Sequence, residues 1–330
     1  MEKIANNKQY RGRLNLALDI RNIISADRIG LIIALIVMTV GFSLLTPHFF
    51  TAKNFENILI SASLMGLVAV GESMLLIGGL MDLSPGSVAA FSGVLSSMLL
   101  SWGFGSVPTI IIAVLSGVVI GSLNAAIING LKINAFIATL ASQSILRGFA
   151  YILCAGRPVF VTDETFLKLG VRRILGIPIP VVILILTFIV FGIVLTKTSF
   201  GRNVYIVGGN ATAARLAGIS TKKISYILFM IMGGLAALGG AILTSRMTSG
   251  QPSAGINLEF DGITAAILGG IAMSGGVGSI FGTILGVLIL QGFNNGLILL
   301  NVQSFWQLVA KGSLLLIALS FDYFRSRKRN

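Results

Sequence analysis

Ten long apolar stretches, nearly free of charge, make up most of this 330-residue chain, and its lysines and arginines lie between them. Hydrophobic residues are 55% of the sequence and charged ones only 11%. A water-soluble domain must clothe its surface in polar groups, so this balance excludes one. Each crossing of a bilayer core takes about 20 mainly apolar residues as helix, because backbone polar groups find no water there. The expected spans are 29–45, 58–78, 85–101, 108–130, 134–153, 180–196, 224–244, 261–273, 280–300 and 305–321, the eighth being the shortest. Segments alternating apolar and polar residues are missing, which excludes a transmembrane barrel. The fold class is therefore all-α and polytopic, with about ten transmembrane helices, some of them broken. Residues 29–321 read as one transmembrane domain, between an N-terminal segment 1–28 and a basic tail 322–330.

The formal net charge of +13 informs through its distribution. Ten spans return both termini to one side. Segments on that side hold sixteen lysines and arginines and those on the other side six, with Arg147 and Lys311 inside spans. The bias places both termini in the cytoplasm. Basic charge is thus a topology signal and a contact for anionic lipid, not a nucleic-acid footprint. Leu14–Ile24 has apolar residues on one helical face, expected to lie on the inner leaflet or to touch a cytoplasmic partner. One histidine (His48) and one cysteine (Cys154) leave no ligand set for a His- or Cys-based metal. There is no P-loop, so ATP has no binding motif here, and no cluster of His, Asp, Glu or Cys for a membrane enzyme.

The two longest polar segments, 155–179 and 197–223, flank the sixth span and divide the chain into similar halves. Asn129-Gly130-Leu131 ends span four, Phe136 opens the next, and Arg147-Gly148 lies late in it. Asn295-Gly296-Leu297 ends span nine, Phe305 opens the next, and Lys311-Gly312 lies within it. Gly117 and Gly121 match Gly282 and Gly286. The offset of five spans is odd, so the copies point opposite ways: an inverted five-helix repeat, whose interface is where transporters place the substrate path. Glycines such as Gly66, Gly71, Gly233-Gly234 and Gly239-Gly240 are spaced for close helix approach. Gly78-Gly79 and Gly275-Gly276-Val277-Gly278 sit where spans end or break, and are expected to unwind backbone beside a cavity.

Segment 197–223 runs Gly201-Arg202-Asn203, then Gly208-Gly209-Asn210, then Ala-Thr-Ala-Ala-Arg-Leu, then Gly218. Asn210 is a good N-cap, 211–216 a helical turn and a half, and Gly218 a good C′ residue. A short capped helix in a cytoplasmic loop is a handle for a motor subunit. Segment 201–220 resembles the coupling segment of the ribose-type sugar permeases of ABC importers. Further motifs of that family follow in order: Asp82-Leu83-Ser84-Pro85-Gly86-Ser87, Ala135-Phe136-Ile137-Ala138-Thr139-Leu140, Gln251-Pro252-Ser253-Ala254-Gly255, Leu268-Gly269-Gly270 with Gly275-Gly276-Val277-Gly278, Asn294-Asn295-Gly296-Leu297 and Lys311. The resemblance covers about residues 28–322. It implies the permease subunit alone, without a cofactor of its own, in a bacterial inner membrane. The chain would pair as a homo- or heterodimer, bind two ATPase subunits that carry ATP and Mg, and receive sugar from an extracytoplasmic binding protein. By the same resemblance Arg202, Gly208, Gly209, Asn210, Thr212, Arg215, Leu216 and Gly218 couple to the ATPase. The chain departs from the family at Leu80-Met81, at Pro85, and at Ala211, where an acidic residue is common.

Charge at lipid depth costs about 2.5–3.5 kcal/mol at mid-span, so each such group needs a partner. Glu72 is expected to pair with a cation such as Arg147 or to face the translocation cavity. Asp82 is expected to cap span three through Ser84, and Arg147 and Lys311 to snorkel toward opposite rims. Neutral polar groups suit a sugar better: Thr139, Ser142 and Gln143 share one face of span five, and Gln291, Asn294 and Asn295 one face of span nine. Hydrogen bonds between helices are their alternative use. Phe136 and Phe305 open repeat-related spans as gates or as belt residues. The candidate path is Glu72, Asp82, Ser84, Phe136, Thr139, Gln143, Gln291, Asn294, Asn295 and Phe305. Two rival classes remain at this stage: an ion-coupled carrier, with Glu72 its only mid-depth acid, and a related permease for branched-chain amino acids or nucleosides.

Overall fold

A computed structural model describes residues 26–327; the segment Leu14–Ile24 lies outside the described residues. In chain order its helices are α1 (Ala26–Leu45), α2 (Ala52–Ile77), α3 (Pro85–Ser101), α4 (Ser106–Leu131), α5 (Ala135–Leu153), α6 (Glu164–Val171) and α7 (Ile179–Lys197). They continue with α8 (Ser199–Gly209), α9 (Ala211–Leu216), α10 (Thr221–Met247), α11 (Leu258–Leu268), α12 (Ile280–Leu299) and α13 (Ser304–Arg327). Two antiparallel pairs of two-residue strands complete the set: β1 (Val159–Phe160) with β4 (Ser249–Gly250), and β2 (Arg173–Ile174) with β3 (Ile177–Pro178). Helices α2, α4, α5, α7, α10 and α12 are long and apolar enough to cross a membrane, while α1, α3 and α13 carry shorter apolar stretches.

The expected eighth span, 261–273, is corrected. Helix α11 starts three residues earlier and stops at Leu268. Its 11 residues reach about 16 Å, roughly half of the bilayer core. Gly269-Gly270 ends it: Ile271 N–H bonds back to the Ala266 carbonyl and Gly270 takes a φ of 86°, a left-handed stop.

Helix α2 is the centre. Every residue from Met65 to Ile77 is buried, as fits a helix that is apolar or small on all sides. Helix α10 crosses it with Met232 over Gly71, and α7 with Leu184 over Gly66. On the far side α10 lies against α3 and α4 so closely that backbones touch. A Cβ on Gly117 or Gly233 would strike the other's carbonyl, and one on Gly240 would strike that of Ala89. Small residues let backbones approach where lipid supplies no hydrophobic drive between helices. Helices α11 and α12 pack on the opposite flank of α2, and α1 on α12. Gly117 and Gly121, matched in sequence with Gly282 and Gly286, pack against different partners. The first pair meets α10, whereas Gly282 meets Gly269 and Gly286 meets Ala265, both at the α11 end.

Candidate functional site

The segment between α7 and α10 folds as two helices rather than one. Helix α8 begins at Thr198, whose hydroxyl accepts from Gly201 N–H at 3.1 Å. Helix α9 is the short helix that its sequence encodes. Asn210 Oδ1 accepts from the amides of Thr212 (3.0 Å) and Ala213 (2.9 Å). At the other end Gly218 has a φ of 80°, with Ile219 N–H bonded to the Ala214 carbonyl and Gly218 N–H to that of Arg215, the paired bonds of a Schellman stop. Only Ala214 of α9 is buried; Thr212, Arg215 and Leu216 are exposed, Leu216 by 87%. The result is a rigid, capped knob with an apolar tip.

Its base is fixed by backbone. Gly208 lies against the last turn of α2 and against Gly275-Gly276, and Gly276 N–H donates to the Ile77 carbonyl at 2.8 Å. Tyr205 Oη donates to the Gly278 carbonyl at 2.9 Å. The glycines at 78–79 and 275–278 were expected to border a cavity; they instead form a junction closed on Gly208. Gly79, Gly275 and Gly276 have φ of 74°, 85° and 70°, so L side chains would strain there. Gly208 is half-buried in this junction, while Arg202 and Gly209 are exposed.

A second focus lies where α2 gives way to α3. Asp82 Oδ1 accepts from both the amide and the hydroxyl of Ser84, each at 2.7 Å, just before Pro85 opens α3. Asn124 Nδ2 reaches Ser84 Oγ at 3.1 Å, and Leu83 N–H reaches Thr139 Oγ1 at 3.0 Å. The starts of α3 and α11 meet here, with Gly86 against Gly255 and Glu259. Glu259 Oε1 accepts from Gln143 Nε2 at 2.7 Å. Glu72 is fully buried, with Asp82 and Glu259 as its charged neighbours, and neither carboxyl oxygen makes a hydrogen bond of good geometry. These acids do not converge into a cluster able to hold a metal ion among the described residues.

Residues 54–319 match the family described as branched-chain amino acid transport system / permease component. The chain belongs to this permease family. It is 39% identical over 303 residues to the L-arabinose ABC transporter permease protein AraH of Azospirillum brasilense, covering 92% of this chain and 89% of that one. It is 39% identical over 302 residues to the ribose import permease protein RbsC of Bacillus subtilis (91% and 94% covered). With the L-arabinose transport system permease protein AraH of Escherichia coli the identity is 38% over 307 residues, with 92% of each chain covered. No solved structure matches the chain.

Within this permease the ten expected path residues fall into separate groups. Glu72, Asp82, Ser84, Thr139 and Gln143 share the focus at the start of α3. Gln291, Asn294 and Asn295 lie along α12, where Gln291 Nε2 reaches Met65 Sδ at 3.2 Å and Asn295 Oδ1 accepts from Asn54 Nδ2 at 2.9 Å. Asn294 is buried, with its Oδ1 unbonded. Phe136 and Phe305 are exposed.

The expected pairing of Glu72 with Arg147 is corrected. Arg147 Nη1 donates to the carbonyls of Pro252 (2.8 Å) and Ala254 (2.6 Å), holding the loop before α11. Snorkelling is corrected too: Lys311 Nζ pairs with Asp261 Oδ2 at 2.9 Å. Glu259, like Asp82, is also buried, each 1% exposed. Starting span eight at residue 261 hid Glu259; an acid inside the apolar run 256–268 was the available signal.

Proposed function

We propose that this permease carries a pentose or similar sugar into the cytoplasm as the transmembrane subunit of an ABC importer. Separate ATPase subunits would bind ATP and Mg, and an extracytoplasmic binding protein would deliver the solute to the bacterial inner membrane. The observation that carries the reading is end-to-end likeness to ribose and arabinose permeases, together with the capped, exposed helix α9. Both termini would lie in the cytoplasm, on the side of α9.

The coupling route follows from the junction. A push on Thr212, Arg215 and Leu216 moves α9 and α8 together, since Asn210 joins them directly. Gly208 passes the motion to the end of α2 and to the connection between α11 and α12, the two elements that meet at the candidate path. Rigid-body rocking about this backbone junction would open the path alternately to each side.

Cross-half contacts support the inverted repeat. Asn129 Nδ2 on α4 bonds Ser225 Oγ on α10 at 3.0 Å. Its counterpart Asn295 on α12 bonds Asn54 on α2. Each asparagine thus reaches the second long apolar helix of the other half, counting α1 and α2 in the first half and α7 and α10 in the second. Helix α5 leaves Ser144 exposed and Ser142, Gln143 and Arg147 half-buried. Such a face is costly toward lipid, and we assign it to a second permease chain and the aqueous path between the two.

Reconstitution tests the whole reading. Labelled ribose or arabinose should enter vesicles only when the permease, its ATPase and its binding protein are all present with ATP. Uptake by this chain alone, driven by an ion gradient, would overturn it.

A further inference from the structure

The strands β2 and β3 form a hairpin whose last residue, Pro178, caps α7. The hairpin therefore sits at the membrane–water boundary, on the face opposite α9. Its two turn residues, Leu175 and Gly176, have φ of 49° and 83°, the geometry in which Asn-Gly is favoured. A leucine there is strained. Yet Leu175 is 97% exposed, and Ile174, Ile177 and Val171 are exposed beside it. The exposed apolar face of α7, with Ile185, Leu186 and Ile189, continues from this tip.

Beside the hairpin opens a cavity of about 260 Å³, lined by Glu56, Ile60, Gly170, Arg173, Pro178 and Arg246. Arg173 is already neutralised by Glu56, Nη2 to Oε1 at 2.6 Å. Arg246 is not. Its Nη1 has one long contact, 3.4 Å to the Ile60 carbonyl, and no carboxylate pairs with it among the described residues. Gly170 makes room for its stem, since a Cβ there would come within 2.8 Å of Arg246 Cγ.

We infer that this cavity binds the phosphate of an anionic phospholipid, whose acyl chains run past Leu175 along α7. A guanidinium presents a planar fork of donors that matches phosphate oxygens. An amphipathic element at headgroup depth, apolar at its tip and cationic behind, suits a lipid. A protein docking from water would meet the same arginine but would not account for the apolar surface continuous with a transmembrane helix.

The test compares melting temperatures of the full chain in nanodiscs of phosphatidylcholine with those in discs containing phosphatidylglycerol. The wild type should gain stability from phosphatidylglycerol. Arg246→Gln should lose most of that gain, and Arg246→Lys, which keeps the charge without the fork, should retain part of it. Leu175→Asn relieves the strained turn, so it should fold normally in detergent while still losing gain in the lipid discs. Soluble glycerol phosphate added to phosphatidylcholine discs should have no effect; a full shift from it would overturn the lipid assignment. So would an Arg246→Gln variant that keeps the whole gain, with or without a loss of binding-protein docking.

Discussion

Two adjacent glycines offer a sharp test of the junction beneath α9. Replacing Gly208 by Ala places a Cβ against the Ile77 carbonyl and within 2.8 Å of Gly276 N, whereas a Cβ at Gly209 meets nothing within 4 Å. Both positions lie in the last turn of α8, so the helix-propensity gain, at most about 1 kcal/mol, is shared. At Gly208 it is opposed by overpacking of about 1–3 kcal/mol. The strained or lost Gly276–Ile77 hydrogen bond adds about 1 kcal/mol. Gly208→Ala should thus lose about 1–3 kcal/mol and Gly209→Ala should be neutral or mildly stabilising. The assay is thermal melting of the purified permease, followed by uptake and ATP hydrolysis in the assembled importer. Because the junction is the proposed route of motion, Gly208→Ala should also separate hydrolysis from uptake in the fraction that folds. Equal tolerance of the two alanines would refute the backbone docking, and with it the route.

Three further outcomes follow from the buried charges and caps. Glu72 is fully buried and pairs with no cation among the described residues, so the isosteric neutral Glu72→Gln should fold and transport like the wild type; loss of uptake in that variant alone would give Glu72 an ionic role. Lys311→Met strands Asp261 at lipid depth, so a melting-temperature cycle should show the single variant harmed more than the double variant with Asp261→Asn. Asp163 caps α6: its Oδ1 accepts from Ser106 Oγ and Phe166 N–H, both at 2.6 Å, and these bonds hold its carboxyl below the usual range. A lowered folded value gives stability that is full above the unfolded carboxyl's roughly pH 3.9 and is lost as pH falls through the folded value. Asp163→Ala should therefore cost about 0.5–2 kcal/mol at neutral pH, and the gap in melting temperature should narrow only below about pH 4.

What the sequence revealed and what it hid divide by range. Helix α9 was legible because caps are local: Asn210 is bonded by amides two and three residues on, and the stop at Gly218 needs only its own backbone. Asp82 and Ser84 were legible for the same reason. Helix α8 was not, since its three glycines and short apolar face argue for a loop; it holds because Val204 and Val207 are buried and Tyr205 is tied to Gly278. Glu72 and Arg147 look like partners by charge alone. No one-dimensional signal tells that Arg147 is already occupied by the carbonyls at 252 and 254, or that Lys311 pairs with an acid fifty residues earlier.

The same division explains why the path residues scatter while the coupling segment stays together. A handle must present a fixed shape to another protein, and a few consecutive residues can encode that shape. A path for a neutral sugar needs weak, exchangeable hydrogen bonds from several helices, so its residues are recruited across the fold, and most of their polar atoms are already bonded to neighbours. Thr139 holds the Leu83 amide, Gln143 holds Glu259 and Asn295 holds Asn54. In this state they build walls. Motion of the junction at Gly208 would displace the ends of α2 and α11, the elements carrying Glu72 and Glu259, and so would free some of those side chains for a solute in the opposite state. On the proposed reading, coupling and path chemistry would form one device, in which the backbone contact that fixes the handle would decide when the polar groups are available.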